Sequence, residues 1–306
     1  MTESLCRLRA LLSREAAQRR LVITGHDAPD VDSVASCVLL RRLLGAWDIP
    51  AQIVLPTPAD AQSCRVLPRF GVEPERLAGQ TRPEDGLILV DHHLPLHPGR
   101  VLACLDHHPT LEALPYSWVR IEASGACARM ALCLLQEAGV PVTDADIALA
   151  VTALYLDTIA LRSTKIPPEE VAWARAQAAR LGLDTGWLER EGMHLSDAGD
   201  PAPALAMLGR KAYDFAGRRV VSTYVQTHGL AQNKLEAILG VLREALAREG
   251  AALWVYLVHD PVDGRSTEYD LTPDGAVTVR RYDALVSRGK DVMPRVEADM
   301  RREAGL

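Results

Sequence analysis

The residues that could do chemistry lie where apolar segments end. His26, Asp30 and Asp32 follow the apolar run "LVITG", Asp91 follows "LILV", and Asp106 follows "VLACL". These runs are continuously apolar rather than alternating, which is typical of strands buried on both faces of a parallel sheet. Because the carboxyl ends of parallel strands lie along one edge, where open α/β folds bind ligands, we expect these side chains to converge.

So many carboxylates cannot stay charged side by side unless a cation compensates them. The first loop has the spacing H-x-x-x-D-x-D, and two further segments read "VDHH" (90–93) and "LDHH" (105–108). This set of oxygen and nitrogen donors without thiolates suits Mn²⁺ or Mg²⁺ better than a structural zinc. Taken alone, either "DHH" is more often a solvated turn, so the prediction depends on the combination.

One more acid is available in "ALYLDTIALRS", where Asp157 interrupts an apolar, helix-like run. Asp is rarely buried without a partner, so this position favours a further metal ligand. A helix cap explains Asp157 nearly as well. A helix start near Ser124 and Gly125 could likewise offer backbone N–H groups to an anion, or be a plain helix start.

The surrounding elements alternate between strand and helix, which predicts a doubly wound α/β domain with a mainly parallel sheet. Helices are expected over "LCRLRALLSREAAQRR", from Ser33 until Gly45 stops the helix, and over three later segments. Strands are expected at "LVITG", "AQIVL", "LILV" and "VLACL".

The stretch 189–203 lacks periodicity and gathers Gly, Pro and Asp, which indicates a linker. We therefore predict a catalytic domain at 1–188, a linker at 189–203 and a smaller α/β domain at 204–306. The last part contains a hairpin-like pair ("KAYDF" and "RVVSTYVQT"), a long helix near 230–248, a strand "ALWVYLVHD" and a hairpin turning at "PDG".

Composition limits the classes of function. The 306 residues carry a net charge of -6, which argues against a nucleic-acid polymer as partner because tracking a phosphate backbone needs clustered positive charge. The six cysteines form no C-x-x-C pair and four lie in apolar stretches, which favours reduced thiols. No apolar run approaches the length of a membrane span and no signal-peptide core is present, so a cytoplasmic location is predicted.

With these motifs the sequence resembles the DHH phosphoesterase superfamily. The motifs occur in the expected order as "GHDAPDVDS", "VDHH", "LDHH" and "YLDT", and the second part resembles the DHHA2 domain. The resemblance implies a manganese-dependent family II inorganic pyrophosphatase or a Prune-type exopolyphosphatase, with the active site in the cleft between the domains. The Gly-Gly-rich His motif of the DHHA1 branch is not found.

The resemblance implies a role for each matching residue. Two Mn²⁺ ions, for which Mg²⁺ or Co²⁺ could substitute, would be held by His26, Asp30, Asp32, Asp91, His107 and Asp157. His108 would face the substrate phosphate, and Asp106 would orient the histidine pair. Lys211 and the segment "SRGKDVMP", which contains Arg288 and Lys290, would supply cations to the phosphate. His92 and His93 have weaker claims to be ligands, and a supporting or merely structural role is expected at least as much for them.

One departure leaves the substrate open. Gly289 stands where the pyrophosphatases have the first lysine of Ser-Arg-Lys-Lys-Gln-Val-Val-Pro. The change indicates either a longer or differently charged substrate, or that Lys290 takes over the role. The leading expectation is hydrolysis of pyrophosphate or short polyphosphate. The alternatives are a phosphodiesterase or nucleotide phosphatase and, ranked last, a non-catalytic regulator that binds a phosphorylated ligand. Pairing into a homodimer is compatible with the resemblance.

Overall fold

The computed structural model describes residues 2–110 and 113–305. The chain divides into two compact units. The first contains the described residues up to Leu161 together with Ile166–Gly192, and the second contains Arg162–Lys165 together with the described residues from Met193 onward. The break between Gly192 and Met193 lies within the stretch predicted to be a linker. The short segment Arg162–Lys165, which belongs to the second unit, was not anticipated.

The first unit is built on a five-stranded parallel sheet with the strand order β2-β1-β3-β4-β5. The order reverses direction between β1 and β3, and in doubly wound sheets such a switch point opens a crevice at the carboxyl ends of the strands. The strands are β1 (Leu21–Thr24), β2 (Gln52–Ile53), β3 (Gly86–Val90), β4 (Arg100–Asp106) and β5 (Trp118–Ile121).

Helices of the first unit form one large apolar core with the sheet, and this core includes Leu21 and Ile23 of β1 together with Leu39 and Leu43 of the following helix. Its α-helices are α1 (Glu3–Ala16), α2 (Val31–Ala46), α3 (Ala61–Val66), α4 (Cys127–Glu137), α5 (Asp144–Asp157), α6 (Pro168–Leu181) and α7 (Thr185–Met193). Two short 3₁₀ turns lie at Leu67–Phe70 and Pro74–Leu77.

Several predicted boundaries were wrong in ways with a physical cause. Helix α2 begins before Ser33 because the Asp30 side chain caps it, accepting a hydrogen bond from the Ser33 amide at 3.0 Å. The helix also continues through Gly45, so this glycine does not stop it. The stretch 189–203 is not wholly irregular, since α7 extends to Met193. Strand β5 was missed.

The second unit contains a mixed sheet with the order β10-β9-β8-β7-β6, in which only β7 and β8 run parallel. Its strands are β6 (Lys211–Phe215), β7 (Arg218–Gln226), β8 (Leu253–Asp260), β9 (Arg265–Leu271) and β10 (Val277–Tyr282). Its helices are α8 (Ala202–Ala206), α9 (Gln232–Glu249) and α10 (Met293–Glu303), and a π-helical turn spans Arg288–Val292.

The predicted fold class is therefore confirmed: a doubly wound, mainly parallel domain followed by a smaller α/β domain with a mixed sheet. All six cysteines are free. Within the described ranges, no helix combines the length and apolar character that crossing a membrane requires.

Candidate metal centre

The loop after β1 brings three of the predicted ligands to the edge of the sheet. His26 lies just beyond the strand, Asp30 caps α2, and Asp32 occupies the first turn of that helix. Both oxygens of Asp32 accept backbone N–H groups at the start of α4, from Cys127 at 2.7 Å and Ala128 at 2.8 Å. These first N–H groups of a helix have no partner within the helix, so a carboxylate is well placed there. The helix thus fixes the Asp32 side chain.

Asp91 follows β3 directly and lies at the centre of the cluster. Its backbone is in the left-handed region, with φ of 61°, which Asp tolerates better than most residues. The side chain is only 2% exposed. Its Oδ2 accepts a hydrogen bond from Ser33 Oγ at 2.8 Å, whereas no donor among the described residues has hydrogen-bond geometry toward its buried Oδ1. One side of this carboxylate is therefore left for another partner.

Two imidazoles lie close to Asp91, one near each carboxylate oxygen. His26 Nε2 lies 3.4 Å from Asp91 Oδ2, and His107 Nε2 lies 3.1 Å from Asp91 Oδ1. The other ring nitrogen of His107 lies 3.1 Å from the carbonyl oxygen of Ser124, which can only accept. His107 Nδ1 therefore donates, and the lone pair of neutral His107 is on Nε2, toward the carboxylates. A histidine held in this way by a backbone carbonyl is typical of metal ligands.

The remaining acids surround the same imidazoles. Asp32 Oδ2 and Asp157 Oδ2 lie 3.8 Å and 3.7 Å from His107 Nε2, and Asp30 Oδ2 lies 3.6 Å from His26 Nε2. Asp157 is the last residue of α5, so it does not cap the start of a helix. All six predicted metal ligands therefore lie in one cluster.

The electrostatics of the cluster show how much negative charge it concentrates. Burial, and then the charge of Asp91, raise the pKa of Asp32 well above its usual range. Burial opposes a charge on His26 as well, but the carboxylates of Asp30 and Asp91 raise the pKa of His26 to about 12. Burial also opposes ionisation of Asp91, yet His107 and His26 hold the pKa of Asp91 well below its usual range. In the absence of another cation, the positive charge of protonated His26 compensates part of the negative charge of the neighbouring carboxylates.

These residues fit divalent ions. Three groups of side chains each bring their ligand atoms within 4.8 Å of one another: Asp91 with Asp106, His107 and His108; His26 with Asp30 and Asp91; and Asp32 with His107 and Asp157. Asp91 and His107 each belong to two groups. The donors are carboxylate oxygens and imidazole nitrogens, the set preferred by Mn²⁺ and Mg²⁺ rather than by a closed thiolate site. Asp91 Oδ1, which is buried and accepts no hydrogen bond from the described residues, is available as one of these donor atoms.

Asp106, the last residue of β4, holds two further imidazoles. Its Oδ1 lies 2.8 Å from His108 Nδ1 and its Oδ2 lies 2.7 Å from His93 Nδ1. Burial opposes its ionisation, but His108 and His93 hold the pKa of Asp106 below its usual range. His92 instead turns Nδ1 to the Val90 carbonyl oxygen at 2.9 Å, and its buried Nε2 has no hydrogen-bond partner among the described residues.

The proposed anion site near Ser124 is already filled by the protein itself. The carboxylate of Glu170 accepts hydrogen bonds from Ser124 Oγ at 2.8 Å and from the Gly125 amide at 2.7 Å. Together with the contacts of Asp32 to α4, these bonds occupy the N–H groups that a phosphate would need. Of the two interpretations of this helix start, the hydrogen bonds favour the plain one over N–H groups directed at a ligand.

The three predicted substrate-binding cations lie in the second unit. Arg288 donates a hydrogen bond to the Gly209 carbonyl oxygen, and its guanidinium carbon lies 5.1 Å from the centre of the Tyr224 ring. Lys290 Nζ lies 3.5 Å from the carbonyl oxygen of Lys165, and Lys211 is the exposed first residue of β6. Arg288 is thus anchored at Gly209, two residues before Lys211.

Sequence reasoning missed the residues that support this cluster. Ser33 bonds Asp91, and Glu170 fastens the segment that carries the Ser124 carbonyl group. Ser33 stands next to the acidic loop, so its position was a usable signal. No signal near Ser124 pointed to Glu170, because Glu170 lies in the first turn of α6, far from Ser124 along the chain.

Comparison with known proteins agrees with this geometry. Residues 20–161 match the family model described as "DHH family, N-terminal domain", which confirms the resemblance drawn from the motifs. A probable manganese-dependent inorganic pyrophosphatase of Streptococcus pyogenes serotype M5 (strain Manfredo) is 25% identical over 267 residues, covering 81% of this chain and 84% of that protein. A protein with the same description from Streptococcus agalactiae serotype Ia is 24% identical over 306 residues, covering 90% of this chain and 97% of that protein.

A solved structure supports the fold. The crystal structure of a putative family II inorganic pyrophosphatase from Methanococcus jannaschii has a TM-score of 0.71 to this chain at 21% identity, covering 91% of this chain and 98% of that one. At this identity the likeness establishes the architecture.

Proposed function

We propose that the chain is a manganese-dependent phosphoanhydride hydrolase acting on pyrophosphate or short polyphosphate, because residues 20–161 match the model of the DHH family's N-terminal domain. The observation that carries the proposal is that Asp91 belongs to two groups of possible ligands, one with His26 and Asp30 and one with His107. A carboxylate has two oxygens and can be shared by two neighbouring divalent ions, each of which would have its own imidazole. The names of the similar streptococcal proteins agree with manganese and pyrophosphate.

The protein would prepare the site in two ways. His26, Asp30, Asp32, Asp91, His107 and Asp157 would hold the ions, and the hydrogen bonds to Ser33, Ser124 and α4 would keep these ligands oriented before binding. The chemistry that bound divalent ions supply at such a site is a lower pKa for water and neutralisation of phosphoryl oxygens. Pre-orientation matters because it avoids reorganisation during the reaction.

His108 would bind the phosphate, since its imidazole is 41% exposed while its Nδ1 is held by Asp106. Its Nε2 would donate a hydrogen bond to a phosphoryl oxygen, or a proton to the leaving oxygen, when this nitrogen carries hydrogen. Arg288, Lys290 and Lys211 would meet the charge that develops on the phosphoryl oxygens. These assignments of roles follow the motif matches, and kinetics of the single variants would test them.

The length of the substrate depends on the position of Gly289. A lysine there in the pyrophosphatase motif would add a cation, and this chain lacks it. We propose pyrophosphate as the preferred substrate because Lys290 follows directly in the same π-helical turn. A preference for tripolyphosphate would support the other interpretation, in which the missing charge accommodates a longer chain.

The test is release of phosphate by the purified protein with Mn²⁺, comparing pyrophosphate, tripolyphosphate, long polyphosphate and a dinucleotide. Asp91→Asn should abolish turnover on the preferred substrate. Asp27→Asn is the matched control, because Asp27 lies in the same loop as His26 but its side chain is 61% exposed and directed to His97. Equal loss in both variants, or preferential cleavage of the dinucleotide, would contradict the proposal.

A further inference from the structure

Three hydrogen bonds converge on the carboxylate of Asp106, which is fully buried. His108 contributes two of them to Oδ1, from its backbone N–H at 3.0 Å and from its ring Nδ1 at 2.8 Å. His93 contributes the third to Oδ2, from Nδ1 at 2.7 Å. The carboxylate therefore lies between two imidazoles that come from different strand ends.

This arrangement fixes the protons of both rings. A carboxylate oxygen accepts hydrogen bonds, so Nδ1 must carry hydrogen in His93 and in His108. Because Nδ1 is turned to Asp106, Nε2 is the nitrogen of His108 that would meet a phosphoryl oxygen or the leaving oxygen, to which it donates when it carries hydrogen. The orientation of His108 then depends on the orientation of Asp106.

His93 is itself held in place from the other side. Its carbonyl oxygen accepts a hydrogen bond from Tyr116 Oη at 2.7 Å, and its side chain is only 20% exposed. The ring can therefore hold Oδ2 while Oδ1 remains directed at His108. No other donor to Asp106 Oδ2 occurs among the hydrogen bonds recorded for the described residues.

We propose that His93 is a positioning residue that acts through Asp106 to orient His108 toward the substrate phosphate. The proposal rests on the proposed function, because it assumes that His108 contacts the phosphate. It assigns a role to the second histidine of "VDHH", which bonds Asp106 rather than pointing its Nδ1 at Asp91. Loss of a residue that supports a reactive or metal-binding group typically costs about 10–100-fold in activity or affinity.

The decisive comparison is between His93→Leu and His93→Asn. Leucine removes the donor, whereas the side-chain amide nitrogen of asparagine lies close to the position of histidine Nδ1 and keeps it. With Mn²⁺ and whichever phosphate the wild type hydrolyses, H93L should lower kcat by about 10-fold or more, with KM changed by less than about 2-fold. H93N should recover most of that kcat.

A double-mutant cycle separates positioning from general destabilisation. If His93 acts through Asp106, adding H93L to Asp106→Asn should lower kcat little further. Additive losses in the cycle, or an equal loss of kcat in H93L and H93N, would overturn the proposal. An H93L protein with the same kcat as an active wild type would also overturn the proposal.

The ring signals of His108 supply a readout that does not need turnover. In the metal-free wild type, ¹⁵N NMR should show His108 protonated at Nδ1, and H93L should shift that signal toward a mixture of tautomers while H93N should not. Should H93L fail to fold, Tyr116→Phe, which releases the His93 carbonyl group, should move the same signal. An unmoved signal in the folded variants would refute the positioning role. A wild type that hydrolyses no phosphate would instead refute the proposed function, and the NMR result would still stand.

Discussion

Binding of Mn²⁺ should release a proton from His26, and His26→Gln should remove that release. His26 Nε2 lies 3.6 Å from Asp30 Oδ2 and 3.4 Å from Asp91 Oδ2, and these carboxylates raise the pKa of His26 to about 12, against the pull of burial. At pH 7.5, about 4.5 units lower, essentially every metal-free molecule carries this proton. Because a histidine must be neutral to bind a metal, the proton has to leave.

The size of the expected effect follows from the single proton that His26 must lose. His26 should contribute about one released proton per chain, and the logarithm of the apparent Mn²⁺ affinity should rise by about one per pH unit on its account between pH 6.5 and 8.5. Any proton that Asp32, whose pKa is also raised, loses on metal binding adds to the wild-type total, so the informative quantity is the difference between variants. In H26Q the number of protons released should fall by about one, and the slope should fall equally.

The assay is isothermal titration calorimetry of Mn²⁺ into metal-free protein, in two buffers with different ionisation enthalpies. His228→Gln is the matched control, because its imidazole Nδ1 also lies 3.0 Å from a carboxylate oxygen, of Asp260, but in the second unit and half exposed. The control should release as many protons as the wild type. An H26Q protein that does so too would refute the assignment of His26 as a protonated ligand.

The same shift predicts the pH dependence of stability without metal. Because the folded pKa of His26 lies above its unfolded value of about 6.5, its contribution is complete below that pH and declines as pH rises through about 12. The melting temperature of metal-free wild type should therefore fall more steeply than that of H26Q between pH 6.5 and 9. If the melting temperatures of the two proteins, measured by circular dichroism, change with pH in parallel, the raised pKa of His26 would be contradicted.

Three further variants test other parts of the structure. Gly289→Lys should fold normally, because a Cβ there meets no atom within 4 Å, and it should lower the KM for pyrophosphate relative to tripolyphosphate; an unchanged ratio of the two KM values would show that this position does not select the substrate. Gly209→Ala should destabilise the protein by about 3 kcal/mol in urea unfolding, because φ is +57° and a Cβ would lie 2.1 Å from the Tyr224 ring; wild-type stability would contradict this. Asp91→Asn should weaken Mn²⁺ binding by more than about 100-fold in calorimetry, whereas Asp27→Asn should bind as the wild type does.

The sequence predicted that the candidate site residues would lie together, because their positions depend on a simple rule of parallel sheets. His26, Asp91 and Asp106 each follow or end an apolar strand, so the sheet edge brings them together whatever the details of the connecting loops. The family motifs then added Asp157, which composition alone could not separate from a helix cap. Local sequence patterns were sufficient to predict this part of the site because each of these residues stands at the end of a strand or a helix.

Contacts between distant segments were beyond these patterns. Nothing near Ser124 indicates that Glu170 fills its N–H groups, and nothing in "VDHH" indicates that His93 reaches Asp106 rather than a metal. Strand β2 was expected over five residues and is two long, since within "AQIVL" only Gln52 and Ile53 have strand partners in β1. Side-chain partners and strand lengths are set by tertiary packing, which intrinsic propensities predict poorly.

Anomalous diffraction from crystals of the Mn²⁺-loaded protein tests the central claim most directly. We expect two manganese peaks in the first unit, one bonded to His26 Nε2 and the other to His107 Nε2, with Asp91 within bonding distance of both. Peaks confined to other places, such as the exposed group of His228, Asp260 and Asp263 in the second unit, would contradict the account.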